Sequence, residues 1–548
     1  MENLKKAAFL LSIVIFASAV VSCGDDSRGD GTGHMYNAPL LGNPESLDPQ
    51  YADDPSSNTI IKNLYSGLMQ IDSNGNVVCC NAESYTVSDN GTIYTFKLRE
   101  DNFWFFDEND DDIIAEDEYF PVTAKDYVFA LQRVLDPKMQ SPYAEDFMCI
   151  MGASSVIYNE SPVTSAEIYA PDDYTLMIVL ENPNTEFLNL MASSASYPCN
   201  EEFFNNTKGR YGLDDRSVMS NGAFYVRKWF YDPYGNNNIL YMKRNDANWS
   251  ETFDINPSFL SFTIERNEDD IREVFKKEEI ECFTTLNSSL YNSGKYSVTG
   301  ISATTLGLIF NQENKYCSNE NMRKALAFSV DRDSLLQDSD NDLKMSFGII
   351  PPAVNLYGRS YRELVSDRQF ISYNEEEALN CYETAKKELK IGSVDSLKIL
   401  VNAEIADSGC LRSLTEKWQE LLGFYIGVED VTSDEFYQRI SDGDYSIALY
   451  PVKGKSASGK SVIRQFEDIP CLKNTLPNGK ISAKLMSCST VNELIEAYTS
   501  AEKQIIDSNC FVPLFYKNSY LIADKENEQI FYDPFTGAVD YRLALNYD

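Results

Sequence analysis

The chain has 548 residues, with 84 acidic against 47 basic side chains and a formal net charge of −37 at pH 7. A surplus this negative excludes a nucleic-acid binder, which needs clustered Lys and Arg to displace counterions, and a protein lying flat on anionic lipid. A chain of this length needs two to four domains. The single histidine, and twelve cysteines without Cys-x-x-Cys spacing, offer neither a zinc site nor a Ser-His-Asp triad.

In chain order, Lys5 and Lys6 precede an apolar run from Ala7 to Val21 that ends at Val20-Val21-Ser22-Cys23-Gly24. A basic start, a short apolar core and a small residue before the cut read as a secretory leader over residues 1–22. The run is about 15 residues, against the roughly 20 a spanning helix needs. Val-Val-Ser-Cys resembles the bacterial lipobox, which implies a lipid on Cys23 and a chain held on the outer face of a membrane. Residues 23–34, small and acidic, predict a flexible tether carrying His34, with folded structure from about Met35.

Tyr94 to Leu98 alternates as a half-buried strand does. The stretch 107–118 is so acidic that it reads as a solvated insertion. Thr123 to Leu135 has a Thr cap, Asp126 and apolar Val128, Leu131 and Val134, which is a helix start and face. Residues 321–330 and 375–389 also read as helices. Arg412 to Leu422 puts Leu414, Trp418, Leu421 and Leu422 on one face before Gly423 stops it. Residues 446–449 predict a short buried strand. The eleven scattered cysteines after Cys23 predict mostly buried thiols rather than a disulfide framework.

These segments resemble, in order, the large solute-binding proteins of peptide-importing ABC transporters, the oligopeptide- and dipeptide-binding family. The blocks are Leu47-Asp48-Pro49, Asn63-Leu64-Tyr65-Ser66-Gly67-Leu68, Leu98-Arg99 with Trp104, Thr123-Ala124-Lys125-Asp126, Asp136-Pro137, Ser220-Asn221-Gly222-Ala223-Phe224, Arg323-Lys324-Ala325-Leu326 with Asp331-Arg332, Pro351-Pro352 and Val512-Pro513-Leu514-Phe515-Tyr516. The resemblance implies an α/β fold of two lobes around a cleft, joined by a hinge, with an extra domain inserted in the first lobe. It implies a first lobe from residues 35–77, 190–305 and 510–548, an inserted domain over 78–189 and a second lobe over 306–509. A monomer would take an extended peptide between the lobes, close, and present it to an ABC permease, with no cofactor, metal or catalysis. The ligand side would include Asn63, Tyr65, Ser66, Trp104, Tyr197, Phe436 and Tyr450, for whose aromatic rings core packing is the competing reading.

One departure concerns the ligand. Family members that grip a free peptide amine use an Asp in a Trp-x-x-Asp loop after the strand at 445–450. Here Tyr450-Pro451-Val452-Lys453-Gly454-Lys455 has neither residue. The resemblance therefore leaves open an anionic ligand group meeting Lys453, Lys455 or Lys460, or a solvated loop with the amine held elsewhere. A sugar or metal-chelate binder and a surface receptor without transport are the other readings. Residues 454–461 also fit the phosphate-loop pattern of nucleotide hydrolases. An exported chain meets little nucleotide, so the weaker reading of an anion nest is preferred.

Overall fold

The computed structural model describes residues 33–547 except 109–117, 236, 247–254, 292–293, 339–341, 366–370, 396, 473–484 and 486. The leader, Cys23, most of the tether and the middle of the acidic stretch therefore lie outside the described residues.

The first described residues, Gly33 and His34, already bond to the fold ahead of Met35. The Gly33 N–H donates to Asn256 O at 2.6 Å and His34 O accepts from the Ser258 N–H at 2.8 Å. His34 thus belongs to the folded lobe, not to the tether. Strand β1 (Met35–Leu41) follows, then helix α1 (Pro55–Leu64), capped by the Asp54 carboxylate. The inserted segment supplies β2 (Ala82–Val87), β3 (Ile93–Leu98), helix α2 (Ala124–Leu135), β4 (Ile168–Asp172) and β5 (Thr175–Val179). The Thr123 N–H donates to the Asp126 carboxylate at 2.7 Å, which satisfies one of the free donors at the α2 start. The ends of the acidic stretch are not solvated: Asp107 and Glu118 are both buried, and Arg216 donates to Asp107 O at 3.1 Å. Charge density alone does not report such backbone clamps.

The first lobe is completed by β6 (Phe224–Phe230), β7 (Ile239–Arg244) and β8 (Phe259–Glu265), in the sheet order β1-β8-β7-β6 with β1 and β8 parallel. The insert forms its own antiparallel sheet, β2-β3-β5-β4. One apolar core nevertheless runs through both, from Leu40 and Phe262 to Phe96, Leu131 and Ile178.

Helix α3 (Glu268–Lys276), β9 (Cys282–Thr285) and the long β10 (Tyr296–Phe310) lead to the second lobe. There follow α4 (Glu320–Phe328), α5 (Glu375–Leu389), β11 (Leu397–Asn402), α6 (Arg412–Leu422), β12 (Ile426–Val431), α7 (Ser433–Asp442), β13 (Ile447–Lys453), α8 (Gly459–Asp468), α9 (Val491–Asp507) and β14 (Phe511–Asp524). The sheet order is β9-β14-β10-β13-β11-β12. Both faces are covered: α4 and α6 pack with Leu306, Leu449 and Leu514 on one, α8 and α9 with Ile309, Ala448 and Tyr450 on the other. This explains the continuous apolar runs of its strands.

The expected α5 and α6 spans agree with the structure, and Gly423 ends α6 at φ 76°, where a side chain is strained. The strand expected over 446–449 runs on to Lys453. Proline is tolerated there because β11 pairs with β13 only from Ile447 to Leu449, so Pro451 has a ladder neighbour on one side alone. Strands β10 and β14 are paired from Ile309–Phe511 to Tyr296–Asp524. The expected domain break at 305/306 falls inside β10. The fold is two-lobed α/β.

Candidate ligand cleft

The residues expected from the first lobe form a packed wall. Asn63 is fully buried: its amide donates to Thr59 O and Val539 O, both at 2.8 Å, and accepts from the Tyr541 N–H at 2.9 Å. Every one of these partners is protein backbone, so Asn63 clamps the C-terminal segment. Asn221 brackets the Ser66 backbone, accepting from its N–H at 3.1 Å and donating to its O at 2.9 Å. Tyr65 lies 6.4 Å, centroid to centroid, from both Trp104 and Tyr197, and its hydroxyl is 3.2 Å from that of Tyr211. A Cβ on Gly67 would sit 2.6 Å from the Tyr197 ring, so glycine lets this ring close on the chain. All three rings are buried, Trp104 completely. For them, core packing is what the structure displays.

In the second lobe, Phe436 is buried with Tyr450 at 6.2 Å and Tyr437 at 5.3 Å; only Tyr437, 45% exposed, presents much surface. Burial pushes the Tyr450 hydroxyl far above its ordinary range. Among the described residues no ring pair joins this group to the first-lobe rings.

The phosphate-loop look-alike has its groups engaged. Ser461 Oγ accepts from the Lys455 N–H at 2.7 Å, and the Lys460 N–H donates to the Tyr498 hydroxyl at 3.1 Å. Lys460 Nζ lies 3.8 Å from Asp146 of the insert, and Lys455 Nζ 3.5 Å from Asp53 of the first lobe. Ser458 Oγ donates to Glu186 at 2.7 Å, and Arg464 reaches Asp146 at 2.7 Å and Glu145 at 2.8 Å. Thr185 adds an N–H···O bond of 3.0 Å to Cys488 O. The side chains of Lys455, Lys460 and Ser458 thus meet carboxylates of the first lobe and insert, while the Lys455 and Lys460 N–H groups are taken by protein hydroxyls.

The sequence reading missed a polar belt. Midway along β10 and β14, between apolar rows, Ser302, Thr304, Thr305, Lys517, Asn518 and Ser519 are all buried. Ser302 donates to Asn518, Asn518 to the Tyr520 hydroxyl at 3.0 Å, and Tyr520 to Asp342 at 2.7 Å. Its signal was the Lys-Asn-Ser break inside an otherwise apolar strand. Lys453 joins the belt from β13, opposite Thr304.

Two cavities open elsewhere, of ≈ 590 Å³ beside Phe105, Arg216 and Lys243 and ≈ 730 Å³ beside Asn311, Lys398 and Arg439. Leu64 lines the first and Ser446 the second, but neither is lined by Asn63, Tyr65, Ser66, Trp104, Tyr197, Phe436, Tyr450, Lys453 or Lys455. Among the described residues there is no acidic, Cys or His cluster able to hold a metal, and no helix long and apolar enough to cross a membrane. All eleven cysteines after Cys23 are free thiols. Burial raises several, Cys282 and Cys317 to about 12, which makes them poor nucleophiles.

The family model of the bacterial extracellular solute-binding proteins, family 5 (middle region), matches residues 76–468. The chain is 24% identical over 568 residues to the oligopeptide-binding protein OppA of Bacillus subtilis (strain 168), covering 98% of this chain and 99% of that one. Among solved structures it resembles OppA of Haemophilus influenzae in complex with the peptide RPPGFSPFR, with a TM-score of 0.70, 18% identity and coverage of 95% and 100%. It also resembles the substrate-binding domain of an oligopeptide ABC transporter from Bacillus anthracis (str. Ames), with a TM-score of 0.68, 23% identity and coverage of 94% and 99%. The chain belongs to family 5 of the bacterial extracellular solute-binding proteins.

Proposed function

We propose that this is a lipid-anchored extracellular binding protein that captures peptides between its lobes and delivers them to the permease of an ABC importer. The observation that carries it is the seam between second lobe and insert: Arg464, Lys460 and Ser458 meet Glu145, Asp146 and Glu186 through polar contacts that can separate and re-form. Lobes that meet through a polar seam can open around a ligand and close on it. The relatives named for oligopeptide binding support peptide as the ligand class. The lysine-bearing stretch at 453–455 supports an atypical, anionic ligand group. Capture requires no bond breaking, and the buried thiols and engaged loop supply no nucleophile for it. The lipid on Cys23 would keep a monomeric collector near its permease.

The test is a thermal-shift screen of the soluble form against peptide pools with free, blocked and acidic ends. A ligand at 100 times its Kd stabilises by about 2.7 kcal/mol. Stabilisation without peptide hydrolysis is expected. No shift with any pool, or release of cleaved product, would reject the reading. Membrane fractionation of Cys23→Ala checks the anchor, the variant being expected in the soluble fraction.

A further inference from the structure

We propose that Lys453 is a carboxylate-binding residue at the floor of the interlobe cleft, so that bound peptides bring an anionic group to it. This rests on the reading of the chain as a peptide-binding protein and names the ligand chemistry of its site.

Three observations converge. The first is position. In the ladder, Thr304 pairs with Lys453 on one side and Lys517 on the other, so the three side chains stand in one row on one face of the sheet. The two lysine stems start two strand spacings apart, roughly 10 Å. The next row on that face is Leu306, Pro451 and Phe515, of which Leu306 and Phe515 belong to the second-lobe core. Towards the first lobe the row gives way to Ser302 and Asn518. Lys453 therefore stands where the core of one lobe ends and the polar belt between the lobes begins.

The second is charge pairing. Of the three lysines in and beside the loop, Lys455 is set against Asp53 and Lys460 against Asp146. The Lys453 ammonium has no hydrogen bond or ion pair among the described residues. The carboxylate whose field acts on it is Asp533, in the turn between the short strands Phe531–Tyr532 and Val539–Asp540. That carboxylate already accepts from the Phe535 N–H at 2.9 Å and the Thr536 hydroxyl at 2.7 Å.

The third is cost. Burial lowers the Lys453 pKa, and the field of Asp533 only partly opposes it. Lys453 is half-buried, so its ammonium is partly stripped of water with no counterion bonded to it, which is unfavourable. A protein retains such a group where a ligand supplies the missing charge. A carboxylate does so through a charge-assisted hydrogen bond. Both a peptide C-terminus and an Asp or Glu side chain carry that group.

Kd is measured by calorimetry on the soluble form with three probes of one length and neutral side chains: the free acid, the C-terminal amide, and the amide with one residue changed to Glu. The parent chain should bind the acid or the Glu amide at least about tenfold tighter than the neutral amide. Which of the two is preferred separates terminus from side chain. Lys453→Met should erase the preference, and Lys455→Met should keep it. A parent chain that binds all three alike overturns the proposal even if the Met variant does not fold. So does a folded Lys453→Met that keeps the preference. In both cases the peptide reading survives. If no probe binds any of the chains, both fall.

Discussion

Two contacts of the inserted domain, one on each side, are built from the same side-chain chemistry to opposite ends. Where it meets the first lobe, Arg133 of α2 forms a doubly bonded pair with Asp48, donates to Gln50 at 2.7 Å and lies 4.1 Å from the Phe204 ring centroid. The side chains are 4% and 9% exposed. Where it meets the second lobe, Arg464 also makes two carboxylate contacts, but the arginine is 16% and Glu145 41% exposed. A pair sealed by aromatics inside a shared core is a permanent joint. A pair that water can reach is a seam, replaceable by hydration at little cost. This contrast predicts that opening, if it occurs, takes place on the second-lobe side of the insert.

The largest way to break the comparison is Arg133→Met. It leaves the Asp48 carboxylate buried without its cation and should cost about 3–5 kcal/mol in urea unfolding. A loss below about 1 kcal/mol would mean that the joint is no firmer than the seam.

The joint should also respond to pH. Burial raises the Asp126 carboxyl, which caps α2, from 3.8 to about 6, against the opposing hydrogen bonds of Thr123. Between pH 3.8 and 6 the folded state then holds a proton that the unfolded chain has released. This contribution to stability is greatest below the window and falls as pH rises through it. The change is of order 1–3 kcal/mol. Asp126→Asn should remove that slope from the denaturation profile. A variant that retains the parent slope would assign it to another group.

The sequence made the joints legible as motifs and obscured what they do. Leu47-Asp48-Pro49 is recognisable because Asp48 pairs with Arg133. Arg323 and Arg332 are recognisable because they bond the backbone at Cys317 O (2.9 Å) and Pro513 O (2.8 Å). Asn63, Ser66 and Trp104 lie in similar blocks and are buried, Asn63 and Ser66 with backbone and side-chain bonds inside the lobe. Helix caps at Thr123 and Gly423 were readable because a cap is local. The polar belt was not, because Ser302 and Asn518 come together across a ladder spanning 216 residues of chain. The seam was not either: nothing in the spacing of 454–461 reveals that its partners are Glu186 and Asp146.

On the seam side the effects are smaller and of another kind. Arg464→Met should lower unfolding stability by no more than about 1 kcal/mol. It should shift the ligand-free chain towards an expanded form, seen as a larger radius of gyration by X-ray scattering. Raising salt from 0.15 to 1 M shortens the screening length from about 8 to 3 Å and should expand the parent chain likewise. The Arg133–Asp48 joint, shielded from ions, should not respond. An Arg464→Met chain as compact as the parent, and equally indifferent to salt, would mean that the seam does not hold the lobes together.

The smallest effect is the most discriminating. Lys455 and Asp53 are 3.5 Å apart with side chains 51% and 53% exposed, so water and ions compete fully for both. Lys455→Met should change stability by less than about 0.5 kcal/mol. If the pair works only in closure, its loss should still speed opening modestly, and the difference should vanish at 1 M salt, where the parent pair is already screened. Distance labels placed across the seam can read both. An opening rate that stays different at high salt would show that Lys455 acts through packing of its stem rather than through its charge. The contact would then behave as packing between the lobes rather than as a screened ion pair.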